Sequence, residues 1–286
     1  MGTASFKQNF QDWITQQWVI LFGKKINTKD YKWLIGPFGK TNGIGEKFIS
    51  QLAETESLLI DINSKSKGLL QSISQLNLTE QETNKLSKEV IDFYENTGNY
   101  NFDLTVKWNP LFKVFGFLLK VIFSNRIQQL NIPMNNSEDS NGLKSEIIKL
   151  IDENTKEIKH TFWLRTFIKS KQVVYSGVYG CCTIPSGKTC LKAVFPLPNG
   201  NATVVLNPSV GKNGELILTS SGRKIGDSGF YFLLKDAKGE LWTKFIKSFK
   251  DELVVSATND IISAKQTLTF WNLRVLQFNY DIKKAS

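Results

Sequence analysis

From residue 144 onward the chain is a succession of short apolar runs separated by turn signals, and this rhythm restricts it to antiparallel β structure. The runs fall at residues 146–152, 158–168, 172–179, 189–196, 202–207, 215–220, 230–235, 241–249, 253–258, 263–271 and 274–282. Asn199-Gly200 suits a tight hairpin, whose central residues need positive φ; Lys212-Asn213-Gly214 and Ala237-Lys238-Gly239 suit slightly longer ones. A sheet with this many strands curls into a barrel or splits into a sandwich. In the last run Leu273, Val275 and Gln277 alternate with Arg274, Leu276, Phe278 and Tyr280, so both faces are partly apolar. One face can line a barrel interior while the other packs against helices.

The first 132 residues follow a different period. Phe6, Phe10, Trp13, Trp18 and Phe22 stand among amides as on an amphipathic helix, and residues 46–60 repeat the pattern with Phe48, Ile49, Leu52 and Leu59 inward. Thr79-Glu80-Gln81-Glu82 is a capping box, followed by a helical face of Leu86, Val90, Phe93, Tyr94 and Thr97 that Gly98 terminates. Residues 102–106 read as a strand. Residues 110–130 are the most apolar segment, with Lys113, Gly116, Lys120 and Ser124 on one narrow stripe. A helix that is apolar nearly all round is buried in a core, lies in a membrane interface or meets another subunit. Residues 133–142 are polar and form the best candidate boundary. The expectation is therefore an α+β protein: a mostly helical region over 1–132, then a large antiparallel β meander over 144–286, shaped as a barrel or strongly curved sheet. One continuous domain is also compatible with the pattern.

Charge divides at the same place. Residues 1–143 hold 15 of the 36 Lys and Arg and 14 of the 26 Asp and Glu, so nearly all of the +10 net charge belongs to the β half. Cations on a basic β surface suit an anionic ligand or an anionic membrane; they are spread singly, without the dense cluster that nucleic acid favours. No uncharged apolar stretch reaches the ~18–20 residues of a membrane span. The opening residues carry neither a secretory signal nor a myristoylation pattern, and three cysteines make a poor disulfide framework. A cytoplasmic protein is expected.

No motif specifies a reaction. In Gly36-Pro37-Phe38-Gly39-Lys40-Thr41 only two residues precede the Gly-Lys-Thr, where a phosphate loop needs four. Gly187-Lys188-Thr189 has Cys182 where the first glycine belongs, and Gly43-Ile44-Gly45 lacks a third glycine; all read as turns. His160 is the sole histidine, and Cys181, Cys182 and Cys190 are badly spaced for zinc, so no metal site or cofactor is expected. Scattered carboxylates give no support to paired-acid chemistry. Two features remain as candidate ligand contacts. Arg165 lies beside Trp163 in an aromatic strand, where its guanidinium either stacks on a ring or reads an anion in a pocket. The loop 220–229 holds three glycines with Arg223, Lys224 and Asp227; it is either a plain connection or a concavity for phosphate or carboxylate.

Trp33-Leu-Ile-Gly-Pro37, Trp108-Asn-Pro-Leu-Phe112, Arg126-Ile-Gln-Gln-Leu-Asn131, residues 195–201 and residues 221–231 together resemble a little-characterised family of bacterial proteins of about this length. That resemblance runs from about residue 30 to the end and implies no activity and no functional residue. The β half is also loosely similar to a β-rich domain attached to some saccharopine-dehydrogenase-like proteins, through Trp163 and Arg165 after an apolar helix. The expected function is non-enzymatic binding of an apolar or amphipathic anionic ligand, such as a fatty acid or phospholipid. Peripheral membrane association through residues 110–130 is the alternative, with nucleic-acid binding behind it.

Overall fold

The structure is a computed structural model that describes residues 2–5, 8–39, 45–61, 67–113, 132, 143–259 and 261–285. Four helices, α1 (Phe10–Phe22), α2 (Gly45–Glu56), α3 (Glu80–Lys85) and α4 (Lys88–Glu95), accompany fourteen strands among these residues. The strands are β1 (Lys24–Ile26), β2 (Leu58–Asp61), β3 (Tyr100–Trp108), β4 (Leu143–Asp152), β5 (Ile158–Phe167), β6 (Val173–Thr183) and β7 (Thr189–Leu197). They continue with β8 (Gly200–Val210), β9 (Leu216–Thr219), β10 (Gly229–Lys235), β11 (Leu241–Phe245), β12 (Phe249–Thr258), β13 (Ile261–Phe270) and β14 (Leu273–Lys284). The fold is α+β, and its sheet closes into a barrel.

Ten strands form the ring, in the order β8-β7-β6-β5-β4-β3-β14-β13-β12-β9, and β9 returns to β8. Closure depends on two short ladders. Leu216 to Thr219 pair with Val255 to Glu252 on one side and with Val210 to Asn207 on the other. Strand β8 is long enough to serve two partners on one edge: Gly200–Val205 pairs with β10 and the rest with β9. Strands β10, β11 and β1 thus continue from β8 as a wing outside the ring. The expected turns recur with the required backbone: Asn199, Gly214 and Gly239 have φ of 55°, 82° and 79°.

Outside the wall, α2 sets Phe48, Ile49 and Leu52 against Leu150, Phe162 and Val178. Trp33 and Leu34 cover Tyr231 and Val205, and Val19 and Ile20 of α1 cover Leu234 of the wing. Inside, one end is stoppered by the segment around α4, whose Leu69, Phe93 and Tyr94 belong to the main core. The turns at 220–228, 246–248 and 271–272 rim the opposite end, which is open; there Trp271 N–H donates to the Ser248 carbonyl at 2.9 Å.

Four expectations change. Residues 46–60 are not one helix: α2 stops at Glu56, and β2 pairs with β4 from Leu58. The helix after the capping box breaks at Leu86, because Ser87 N–H turns away to the Gly214 carbonyl at 3.0 Å. The run 241–249 divides at a turn into β11 and the start of β12. In α1, Trp18 and Phe22 face outward together with Phe10, while Asp12 and Gln16 are buried. The first 132 residues therefore supply three strands as well as helices. The apolar segment 110–130 beyond Lys113 and the polar stretch 133–142 lie outside the described residues, as do Phe6 and the Lys40-Thr41 and Gly43-Ile44 motif residues.

Because β9 is only four residues long, its interior side chains carry much of the closure. Leu218 is fully buried. Leu218→Ala is expected to lower unfolding stability by about 2–5 kcal/mol in a urea titration, as large-to-small changes in a tight core do.

Candidate functional site

A cavity of about 2000 Å³ occupies the barrel and opens at one end onto the wing and α1, where Phe232, Lys244 and Trp18 line it; ordinary small-molecule pockets measure ~300–1,000 Å³. Alternation along each strand builds its lining, since every second side chain points inward. Strand β7 contributes Leu191, Ala193 and Phe195, and β14 contributes Leu276, Phe278 and Tyr280. On β6 the inward positions are Tyr175, Gly177 and Tyr179. A Cβ at Gly177 would sit 3.0 Å from both the Phe195 and Tyr179 rings, so its missing side chain lets those rings close over the strand.

Arg165 is the centre of this lining. It is 6% exposed and projects from β5 beside Trp163. Its guanidinium carbon lies 4.2 Å from the Trp163 ring centroid, 4.5 Å from that of Tyr175 and 5.9 Å from that of Tyr280. Nη1 donates a long hydrogen bond to the Tyr280 hydroxyl at 3.4 Å, and Nε meets no acceptor among the described residues. No ion pair joins it to a described carboxylate. Burial opposes its charge, but the surrounding Tyr280, Tyr179 and Tyr175 outweigh that and raise its pKa above the ordinary guanidinium value. Burial also raises the pKa of each of these three tyrosines, keeping their hydroxyls neutral. The result is a desolvated cation faced by aromatic rings, the setting in which an incoming anion is attracted most strongly.

Asp251 of β12 supplies the one carboxylate of the lining among the described residues. Its Oδ2 accepts from Gln266 Nε2 at 2.8 Å, whereas Oδ1 has no hydrogen-bond partner among the described residues. Its backbone is pinned by Ser220, whose Oγ accepts from Asp251 N–H at 2.7 Å. Burial pushes its carboxyl up to about 7 against the opposing pull of Gln266.

The structure brings Trp163 and Arg165 together in this cavity and separates the loop residues from them. Arg223 stands at the mouth and is exposed; Lys224 and Asp227 do not line the cavity. Asp227 organises its own loop, accepting from Arg223 and Lys224 N–H at 2.9 and 3.2 Å through Oδ2. His160 faces the outside of β5, 2.7 Å from Glu56 of α2. Gly36 packs on Val194, and Gly187 turns the β6–β7 hairpin at φ 85°. Burial raises the thiol pKa of Cys181 and Cys190 to about 12 and that of Cys182 too, so they stay protonated. Among the described residues no group of three His, Cys, Asp or Glu is arranged to hold a metal.

Sequence reasoning passed over Asp251, Gln266, Tyr175, Tyr179 and Tyr280. A signal was present for Asp251, because alternation sets it with Phe249, Leu253 and Val255 on one apolar face. A lone carboxylate on such a face is a buried polar group in need of explanation.

The chain is 24% identical over 267 residues to the "Uncharacterized membrane protein YndJ" of Bacillus subtilis strain 168. The match takes in 93% of this chain but spans only 46% of that protein's length. It accords with a bacterial family of uncharacterised function, and the likeness to saccharopine-dehydrogenase-like proteins is not shown by it. No family model matches, and no solved structure matches significantly. None of the described helices is long and apolar enough to cross a membrane.

Asp251 links stability to pH. Its folded pKa near 7 exceeds the ordinary 3.8, so the native state holds a proton that the unfolded chain has released. This contribution is complete below about pH 4 and is lost as pH rises through 7, amounting to about 4 kcal/mol. Asp251→Asn is expected to gain stability relative to the parent at pH 8 but not at pH 4, as read from urea midpoints.

Proposed function

We propose that this protein is a non-enzymatic carrier or sequestering protein for an amphipathic anionic ligand of fatty-acid or phospholipid type. The acyl portion lies along the aromatic and aliphatic lining, and the head group meets Arg165. The observation that carries this reading is a buried guanidinium, aimed into a large apolar cavity and paired with no described carboxylate. A buried charge of this kind is costly unless a counter-charge approaches. An anionic head group provides one, and the neutral hydroxyls of Tyr175, Tyr179 and Tyr280 add donors around it. The cavity volume favours a long or two-chain ligand over a small metabolite. Protonated thiols and neutral tyrosines supply no activated nucleophile, which supports binding over catalysis. The relative's name, a membrane protein, suits a chain that handles lipid. The free thiols suit a cytoplasmic setting.

Native mass spectrometry of gently purified protein is expected to reveal co-purified lipid. Titration with a fluorescent fatty acid is expected to show Arg165→Gln weakening affinity about 10- to 150-fold, the equivalent of one hydrogen bond to a charged group at ~1.5–3 kcal/mol. The urea midpoint of the variant should hold, because the arginine has no carboxylate partner to strand. Absence of both bound lipid and fatty-acid binding would overturn the proposal.

A further inference from the structure

We propose that the open end of the barrel is a docking face for the surface of an anionic bilayer; the further step, that ligand enters there directly from the membrane, rests on the binding reading above.

The first observation is the orientation of α1. At 3.6 residues per turn, Phe10, Ile14, Trp18, Leu21 and Phe22 share one side of the helix. A helix of a globular protein buries such a side. Here Phe10 is 72% and Phe22 63% exposed, and the opposite side is the buried one. Gln16 of that buried side is committed to the fold, with Nε2 donating to the Pro198 carbonyl at 2.8 Å. The apolar stripe therefore faces outward by construction.

The second observation is where the stripe leads. Trp18 lines the mouth of the cavity, edge-on to Phe232 at 6.4 Å. Lys244 binds that end of α1 to the rim, donating from Nζ to the Phe22 carbonyl at 2.7 Å and lying over the Trp18 ring at 5.8 Å. Elsewhere on the rim Trp271 is 72% and Leu111 81% exposed, with Leu273 also exposed beside the same turn. Trp271 has φ 49° and Asn272 φ 62°. A bulky side chain at positive φ is costly, and the sequence nevertheless places an indole at the tip of the β13–β14 turn. Tryptophan side chains of this kind settle at the boundary between head groups and acyl chains.

The third observation selects the partner. Arg223, Lys244, Lys247 and Lys250 line the mouth, and among the described residues the only carboxylate lining the cavity is the buried Asp251. A cationic rim interleaved with exposed Trp and Leu complements an anionic interface, where the apolar groups insert and the lysines meet phosphates. A second copy in a two-fold dimer would bring this cationic rim against itself. Nucleic acid would leave Ile14, Leu21, Leu111 and Leu273 facing water.

Co-flotation of the full chain with phosphatidylglycerol/phosphatidylcholine vesicles tests the proposal. The parent protein is expected to float with the mixed vesicles at low salt and to remain at the bottom with phosphatidylcholine alone. Trp271→Glu with Leu111→Glu, and separately Lys247→Glu with Lys250→Glu, should each reduce bound protein at least tenfold, and Ile14→Glu with Leu21→Glu, whose side chains lie outside the cavity lining, should do so while leaving fluorescent fatty-acid binding in solution unchanged. Arg165→Gln should do the reverse, losing fatty acid and keeping vesicles, so failure of docking is separable from failure of the ligand reading. Lack of flotation by the parent chain, equal flotation with uncharged vesicles, or a dimer in light scattering that the Trp271/Leu111 variant dissolves would each overturn it.

Discussion

Everything inside this protein depends on a strip of four residues that joins the sheet to itself. Leu216 to Thr219 accept β8 on one edge and β12 on the other, and without them the sheet would stay open between β12 and the Asn207–Val210 half of β8. Ten strands make a ring wider than the eight whose side chains just fill the middle. The interior must then be walled with large side chains and still contain a void. The high aromatic content suits this: rings reach farther inward than aliphatic side chains, and Tyr175 touches Phe195 on the neighbouring strand and Phe278 across the interior. The N-terminal segments have the complementary task of covering the apolar exterior.

Among the described residues two buried ionisable groups occupy that interior, treated in opposite ways. Arg165 keeps its charge because aromatic faces and hydroxyls surround it. Asp251 has a single side-chain donor, Gln266, and burial moves it toward the neutral acid. The cavity is thus cationic near neutrality and below, with the balance shifting as Asp251 ionises. An interior of this sign favours an anionic group over a cationic one.

Much of the fold was legible because β-turn chemistry is local. Asn199, Gly214 and Gly239 announce positive φ, and the runs between them contain the strands that form. Closure was not legible: the β8–β9 hairpin is local, but the ladder that completes the ring pairs Leu216–Thr219 with Glu252–Val255, far along the chain and only four residues long. The break between α3 and α4 was hidden for the same reason: the Gly214 carbonyl that captures Ser87 N–H lies far along the chain. Residues 58–60 looked helical until β4 offered an edge. For α1 the period was right and the side was wrong, since periodicity reports that a helix has two faces but not which one meets the protein. At the site, Trp163 and Arg165 were visible as an odd pair in an aromatic strand. Of their tyrosine neighbours, Tyr175 and Tyr179 come from β6, the next strand of the meander, whereas Tyr280 comes from β14, which only the curl of the ring brings near.

Strand β8 is shared between the ring and the wing, and this has a mechanical meaning. A push on α1 passes through β11 and β10 into β8 by unbroken backbone ladders, and the inner surface of β8 is cavity wall at Val204 and Leu206. No hinge interrupts that route. The outer helix and the chamber therefore move as parts of one beam, so whatever presses on the former also strains the shape of the latter.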